Sequence, residues 1–246
     1  MSDTNRIKKR VLLTGASSGI GAALAEMLSD MGFQVFGIGR DFEKNTEKES
    51  KTAVTGDFRQ ISCDLLDTDA LIKTVKDIKR EGEIDVLINN AGCAYYGLHE
   101  ELDVSKIKEM VRTDLEAPMI LTQMLLRDLK KNKGTIINIS SVTALSQANP
   151  HGAAYGALKA GLRSFSSSIF EEARKHGVRV STIMPDMTKT ELYRNADFDV
   201  EETEGAYLEP AEVAEAVRYI LERPDGVVIP EMVLRPQLHR IHRKQK

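Results

Sequence analysis

Apolar runs of strand length alternate with segments of helical period along almost the whole chain. The runs are RVLLT (10–14), QVFGI (34–38), QIS (60–62), DVLIN (85–89), TIINIS (135–140), VRVSTIM (178–184) and GVVI (226–229). Helix-period segments lie between them, near 20–31, 68–80, 104–131, 154–176 and 210–222. Glu209 and Pro210 open the last of these, with proline at the first helical position, where its missing N–H costs nothing. The inner runs are short, continuous and rich in Val and Ile, as suits parallel strands buried on both faces. Parallel neighbours need right-handed crossovers rather than hairpins. The alternation therefore predicts one doubly wound α/β domain over residues 1–246, with about seven strands and helices on both faces.

Composition narrows the class further. A hydrophobic content of 41% and a charged content of 29% suit a soluble chain with a substantial core. The formal charge of −3 gives no general attraction to nucleic acid or anionic membrane. No stretch approaches the roughly 18 apolar residues of a membrane span, and the start, MSDTNRIKKR, has no signal-peptide pattern. Cys63 and Cys93 make no disulfide framework, and five scattered histidines offer no metal-ligand spacing. These features point to a cytoplasmic protein with neither a nucleic-acid nor a membrane partner. The basic tail RPQLHRIHRKQK (235–246) is read as a surface segment or a subunit contact. Two stretches read as loops: RDFEKNTEKES (40–50) and the acidic RNADFDVEETEGAYLE (194–209). A substrate lid is expected near 187–209, since long irregular segments in compact domains tend to be functional.

The first junction carries the chemistry. In VLLTGASSGIGAALAEML (11–28), Gly15, Gly19 and Gly21 follow a strand and open a helix, with Ser17, Ser18 and Ile20 among them. In such a turn one glycine permits the tight bend, one brings backbone N–H groups to a pyrophosphate, and one lets the helix pack against the sheet. The helix N-terminus adds partial positive charge for the phosphates. At the end of the second strand an NAD binder places a carboxylate for the ribose 2′-OH, but here Gly39 and Arg40 occupy that place, with Asp41 next. An arginine binds a 2′-phosphate through charge-assisted hydrogen bonds, so NADP is expected over NAD.

The motifs TGASSGIG (14–21), NNAG (89–92) and YGALK (155–159), with Ser141 upstream in NISS, occur in order across nearly the whole chain. The sequence thereby resembles the short-chain dehydrogenase/reductase family. The resemblance implies a Rossmann-type fold and hydride transfer between NADP(H) and a small carbonyl or alcohol, with Tyr155 as proton donor or acceptor. Lys159 is implied to contact the nicotinamide ribose, and Ser141 to hydrogen-bond the carbonyl oxygen. Asp64 and Leu65 are implied to meet the adenine; Asn90, Ala91 and Gly92 line the groove. Pro185, Thr188 and Thr190 close over the nicotinamide, with Ile183 at the end of the preceding strand. Homodimers or homotetramers form through the fourth and fifth helices, which suits the apolar stripe of APMILTQMLL (117–126).

Physical chemistry supports these roles. Tyr155 and Lys159 are spaced i, i+4 and share a helix face. A free phenol ionises near pH 10, and a neighbouring ammonium with an oxidised nicotinamide is expected to lower that value. Of the adjacent Ser140 and Ser141 only one should face the site, and Ser141 is the choice. Two residues depart from the family. Asp114 stands where it places an asparagine that supports a proton relay to the lysine, and Asp186 stands where it commonly has glycine. Cys93, Tyr95, Tyr96 and His151 are further candidates for the cleft edge. The competing expectation is a low-turnover NADP-binding sensor or scaffold, which the two aspartates make thinkable.

Overall fold

The computed structural model describes residues 8–42, 57–238 and 240–244. Its strands are β1 (Arg10–Thr14), β2 (Gln34–Gly39), β3 (Phe58–Ser62), β4 (Val86–Asn89), β5 (Thr135–Ile139), β6 (Arg179–Pro185), β7 (Phe198–Val200), β8 (Glu231–Leu234) and β9 (Ile241–Arg243). Seven of them form one parallel sheet in the order β3-β2-β1-β4-β5-β6-β8. Chain order runs outward from β1 to β3 and restarts in the opposite direction at β4. That reversal opens a crevice at the carboxyl ends of β1 and β4, where open α/β sheets bind ligands.

Strand periodicity sorts the core into two layers. Val11 and Leu13 of β1 pack with α1 (Gly19–Asp30) and α6 (Pro210–Leu221), through Leu24, Leu28, Val213 and Val217. Leu12, between them in sequence, points to the other face. There it meets α2 (Thr68–Arg80), α4 (Ala117–Asn132) and α5 (Ala153–Ala173), through Leu71, Val75, Leu121, Leu125 and Ala173. Because both faces are covered, the inner strands carry no polar alternation, whereas the edge strand β3 exposes Arg59, Gln60 and Ser62.

Three segments differ from the sequence expectation. The helix predicted over 104–131 is α3 (Val104–Val111) joined to α4 by a π-helical turn, Arg112–Glu116. Pro118 has no N–H to give the carbonyl of Asp114, so regular α-helical bonding cannot run through this point. The last sheet strand is Glu231–Leu234, not GVVI at 226–229. Gly226 turns the chain with φ +89°, and pairing with β6 starts where the Pro230 carbonyl accepts from the Thr182 N–H at 2.8 Å. The stretch 194–209 is not wholly irregular, because it contains β7, which pairs antiparallel with β9 from the basic tail. Lys244, just past β9, adds to this pairing: its Nζ lies 3.5 Å from Asp199 and donates to the Tyr193 carbonyl at 2.7 Å. Of the loop read over 40–50, residues 43–50 lie outside the described residues.

Candidate active site

The crevice is built first from backbone. Gly15 and Gly19 adopt φ of +69° and +51°, which side-chain-bearing residues rarely hold. A Cβ on Gly15 would sit 2.8 Å from the Ala91 Cα, and one on Gly21 would sit 1.8 Å from the Gly15 carbonyl oxygen. The turn is therefore compressed between β4 and its own helix, and only glycine fits. Ser18 caps α1 without a side-chain hydrogen bond, and the first turn of that helix carries no acidic residue. Its N–H groups and dipole are thus left facing the groove. Ser17, Ser18, Gly19, Ile20 and Gly21 line this end.

The adjoining wall comes from neighbouring strand ends. Asn90 locks β4 to β1, its Nδ2 donating to the Thr14 carbonyl at 3.0 Å, while the Asn90 and Ala91 N–H groups both donate to Thr14 Oγ1 at 3.1 Å. Arg40, Asp64 and Leu65 meet at the far end of the groove. The Arg40 guanidinium is more than half exposed and stands 3.8 Å from Glu109 of α3. Glu109 and Thr113 also line this end, although no sequence motif singles them out.

The opposite end is made of buried side chains. Tyr155 and Lys159 project from one face of α5 with 3% and 4% of their surface exposed. Lys159 Nζ donates to the Ile139 carbonyl at 3.2 Å and lies 2.9 Å from Asp114 Oδ1. Asp114, fully buried in the π turn, accepts the Cys93 N–H on its other oxygen at 3.0 Å. A Cβ on Gly92 would come within 3.0 Å of Asp114 and 3.3 Å of Lys159, so that glycine leaves room for the pair. The two serines separate as strand geometry requires. Ser140 Oγ donates to the Lys159 carbonyl at 2.9 Å, whereas the Ser141 hydroxyl is engaged with the Tyr155 phenol and accepts the Thr143 N–H.

Burial raises the Tyr155 pKa well above the usual tyrosine value, with Tyr96, Asp114 and Tyr193 adding to the effect and the Ser141 hydrogen bond opposing it. The expected lowering counts on the ammonium together with an oxidised nicotinamide; in the chain by itself burial is the largest influence on the phenol and outweighs the Ser141 hydrogen bond. The Cys93 thiol is pushed up to about 12 by burial and by Asp114, which makes it an inert wall.

The residues expected beside the nicotinamide come from the end of β6 and the segment after it. Pro185, Thr188 and Thr190 line the groove, joined by Asp186, Leu192, Tyr193 and Arg194. Asp186 is held by Arg235 at 3.5 Å and accepts the Met187 N–H at 2.9 Å. Ile183 is instead wholly buried in the core, and its carbonyl takes the Ser140 N–H. His151 is exposed and outside the groove; Tyr95 donates to Glu109 at 2.8 Å. Tyr96 packs on Tyr155 with ring centroids 5.8 Å apart, and Phe198 of β7 covers Tyr96 at 5.0 Å. Among the described residues no group of acidic, histidine or cysteine side chains could hold a metal ion. No described helix is long and apolar enough to cross a membrane.

The family model for short chain dehydrogenases matches residues 9–200. The chain belongs to this family. It is accordingly an NAD(P)-dependent oxidoreductase with a Rossmann-type sheet. An uncharacterised oxidoreductase of Staphylococcus saprophyticus is 31% identical over 93% of this short chain dehydrogenase and 97% of its own length. The 3-oxoacyl-[acyl-carrier-protein] reductase of Salmonella typhimurium is 32% identical over 76% of each chain. An alcohol dehydrogenase of Thermococcus sibiricus, solved with 5-hydroxy-NADP, superposes with a TM-score of 0.83 at 26% identity, covering 95% of this chain and 99% of the other. The glycine cradle and the open helix N-terminus of this short chain dehydrogenase fit a dinucleotide pyrophosphate: the Cβ atoms that would fill the cradle are missing, and no carboxylate opposes a phosphate there.

Proposed function

We propose that this enzyme interconverts a small carbonyl compound and its alcohol with NADP(H), chiefly as a reductase. The observation that carries the reading is the convergence of a protonated, buried Tyr155 with Ser141 and Lys159 at one end of a groove whose other end is a phosphate cradle. The nicotinamide, when bound, supplies or takes the hydride. Tyr155 gives its phenolic proton to the carbonyl oxygen, or takes one from the alcohol. Ser141 hydrogen-bonds the same oxygen and stabilises the negative charge that gathers on it during reduction. Lys159, fixed by the Ile139 carbonyl and Asp114, would contact the nicotinamide ribose of a bound cofactor.

NADP is favoured over NAD because Arg40, just past β2, lines the groove where a carboxylate would repel a 2′-phosphate. The solved relative that carries 5-hydroxy-NADP supports this preference. Asp64 and Leu65 would flank the adenine and Asn90, Ala91 and Gly92 would form the groove floor. Thr188 and Thr190 would hold the carboxamide beside Pro185. The 187–209 segment acts as the substrate lid of a single domain over 1–246. Tyr193 lines the groove, backed by Phe198, which also packs on Tyr96, and this aromatic surface suits uncharged apolar substrates. The exposed Met119 on α4 suits a homodimer or homotetramer in the cytoplasm.

The test is NADPH oxidation by the purified protein across aldehydes, ketones, keto acids and quinones, with Tyr155→Phe as the control. Turnover that collapses in the variant while NADPH still binds supports the reading. Turnover unaffected by the substitution, or NADPH binding with no turnover anywhere in the panel, overturns it.

A further inference from the structure

We infer that Asp114 is a charge-setting residue: by pairing with Lys159 it withholds the ammonium's charge from Tyr155 and biases the site toward carbonyl reduction. The inference rests on the reading of Tyr155 as the proton donor. Its geometric basis is a buried ion pair of 2.9 Å, with side-chain exposures of 5% for Lys159 and 0% for Asp114. Three further features lock the pair. Asp114 Oδ2 takes the Cys93 N–H, Lys159 Nζ reaches the Ile139 carbonyl, and Gly92 leaves the space beside them free of a side chain.

The asparagine expected at this place would accept the Cys93 N–H equally well and bring no charge. Aspartate differs by one negative charge, placed against the cation that lies over the Tyr155 ring at 5.6 Å from its centroid. A carboxylate in contact with an ammonium makes a dipole whose field falls off faster with distance than that of a lone cation. The phenol therefore meets a nearly neutral pair.

The groups facing Tyr155 come from each element packed around it. Its own helix supplies Lys159, the π turn supplies Asp114, the segment after β4 supplies Tyr96, the turn at 191–195 supplies Tyr193, and the end of β5 supplies Ser141. Burial, Tyr96, Asp114 and Tyr193 all disfavour the phenolate; the Ser141 hydrogen bond favours it. In reduction the Tyr155 O–H bond breaks and an O–H bond forms on the carbonyl oxygen, as the carbonyl carbon gains the hydride that bound NADPH supplies. Water then returns a proton to the phenolate. Oxidation needs the phenolate at the start, so it waits for alkaline pH.

The experiment is an ultraviolet titration of phenolate in the cofactor-free protein, comparing wild type, Asp114→Asn, Tyr155→Phe and the double variant. Subtracting the phenylalanine variants isolates the Tyr155 step in each background. The expected result is a step at least about one pH unit lower in Asp114→Asn, a tenfold gain in phenolate fraction below the step. The alkaline limb of alcohol oxidation by the holoenzyme moves down by the same amount, whereas a merely structural role for Asp114 moves neither. An unmoved Tyr155 step in folded Asp114→Asn overturns the inference. If that variant does not fold, the charge-free Asp114→Asn/Lys159→Met pair decides. A Tyr155 step within about half a pH unit of wild type supports the inference, because a neutralised pair leaves the phenol no net charge to lose, and a step about one unit or more higher overturns it. Tyr155→Phe that keeps full turnover sinks the proton-donor reading instead, a result separate from any shift in the titration.

Discussion

The two ends of the groove are built on different principles. The phosphate end is backbone: three glycines, an open helix N-terminus and the Asn90 clamp, most of it contributed by one short stretch of chain. The proposed catalytic end is side chains drawn from the residues just after β5, from α5, the π turn and the segment after β6, with two opposite charges buried in contact. One end is fixed by sterics, so additions damage it. The other is fixed by electrostatics, so isosteric changes alter it while the shape survives.

The largest expected effect lies at the catalytic end. Tyr155→Phe lowers kcat by about 10²–10⁴-fold, the usual worth of a positioned acid, with the NADPH Kd unchanged by fluorescence titration. A parallel loss of cofactor binding would erase the distinction between the two ends. Next comes Gly21→Ala, whose Cβ meets the Gly15 carbonyl at 1.8 Å. Overpacking of this kind costs about 1–3 kcal/mol, expected as a lower Tm and an NADPH Kd raised at least about tenfold. Wild-type affinity in this variant would show that the turn is not under compression.

Arg40→Ala sharpens the comparison at the adenosine side. A charged hydrogen bond contributes about 1.5–3 kcal/mol, so the NADPH Kd should rise about ten- to hundredfold while NADH binding hardly moves. Equal losses for both cofactors would remove Arg40 as the selector. The smallest effect belongs to the tail. Removing residues 240–246 takes away the β9 pairing and the exposed Lys244–Asp199 and Arg240–Glu201 contacts, which measure 3.5 and 3.7 Å. Such ion pairs contribute about 0–1 kcal/mol each. The substrate KM should rise a fewfold through the loosened Phe198–Tyr96 wall, with NADPH affinity intact.

Local signals are the legible ones. Strands β1 to β6, the glycine turn and the i, i+4 spacing of Tyr155 and Lys159 all depend on neighbours close in sequence. Hydropathy misplaces β8 because it marks the apolar VVI, whereas Gly226 and Pro230 delay pairing with β6 to Glu231. β7 escapes sequence reading because a strand of three residues, Phe198–Val200, is too short to show a period of its own. It forms only when the basic tail folds back beside it. Glu109, Thr113 and Tyr193 carry no motif and reach the groove through the packing of α3, the π turn and the segment after β6.

The sequence by itself determined the doubly wound α/β class and the position of the glycine turn, which follow from alternating strand and helix periods and a contiguous motif. Ser141, Tyr155 and Lys159 are singled out by resemblance to the family, the last two also by their i, i+4 spacing. Tertiary structure decided the charge state around them. Asp114 and Lys159 stand far apart in the chain, on the π turn and on α5, yet meet at 2.9 Å. Whether a lysine serves as a free cation or half of an ion pair depends on what the fold buries against it.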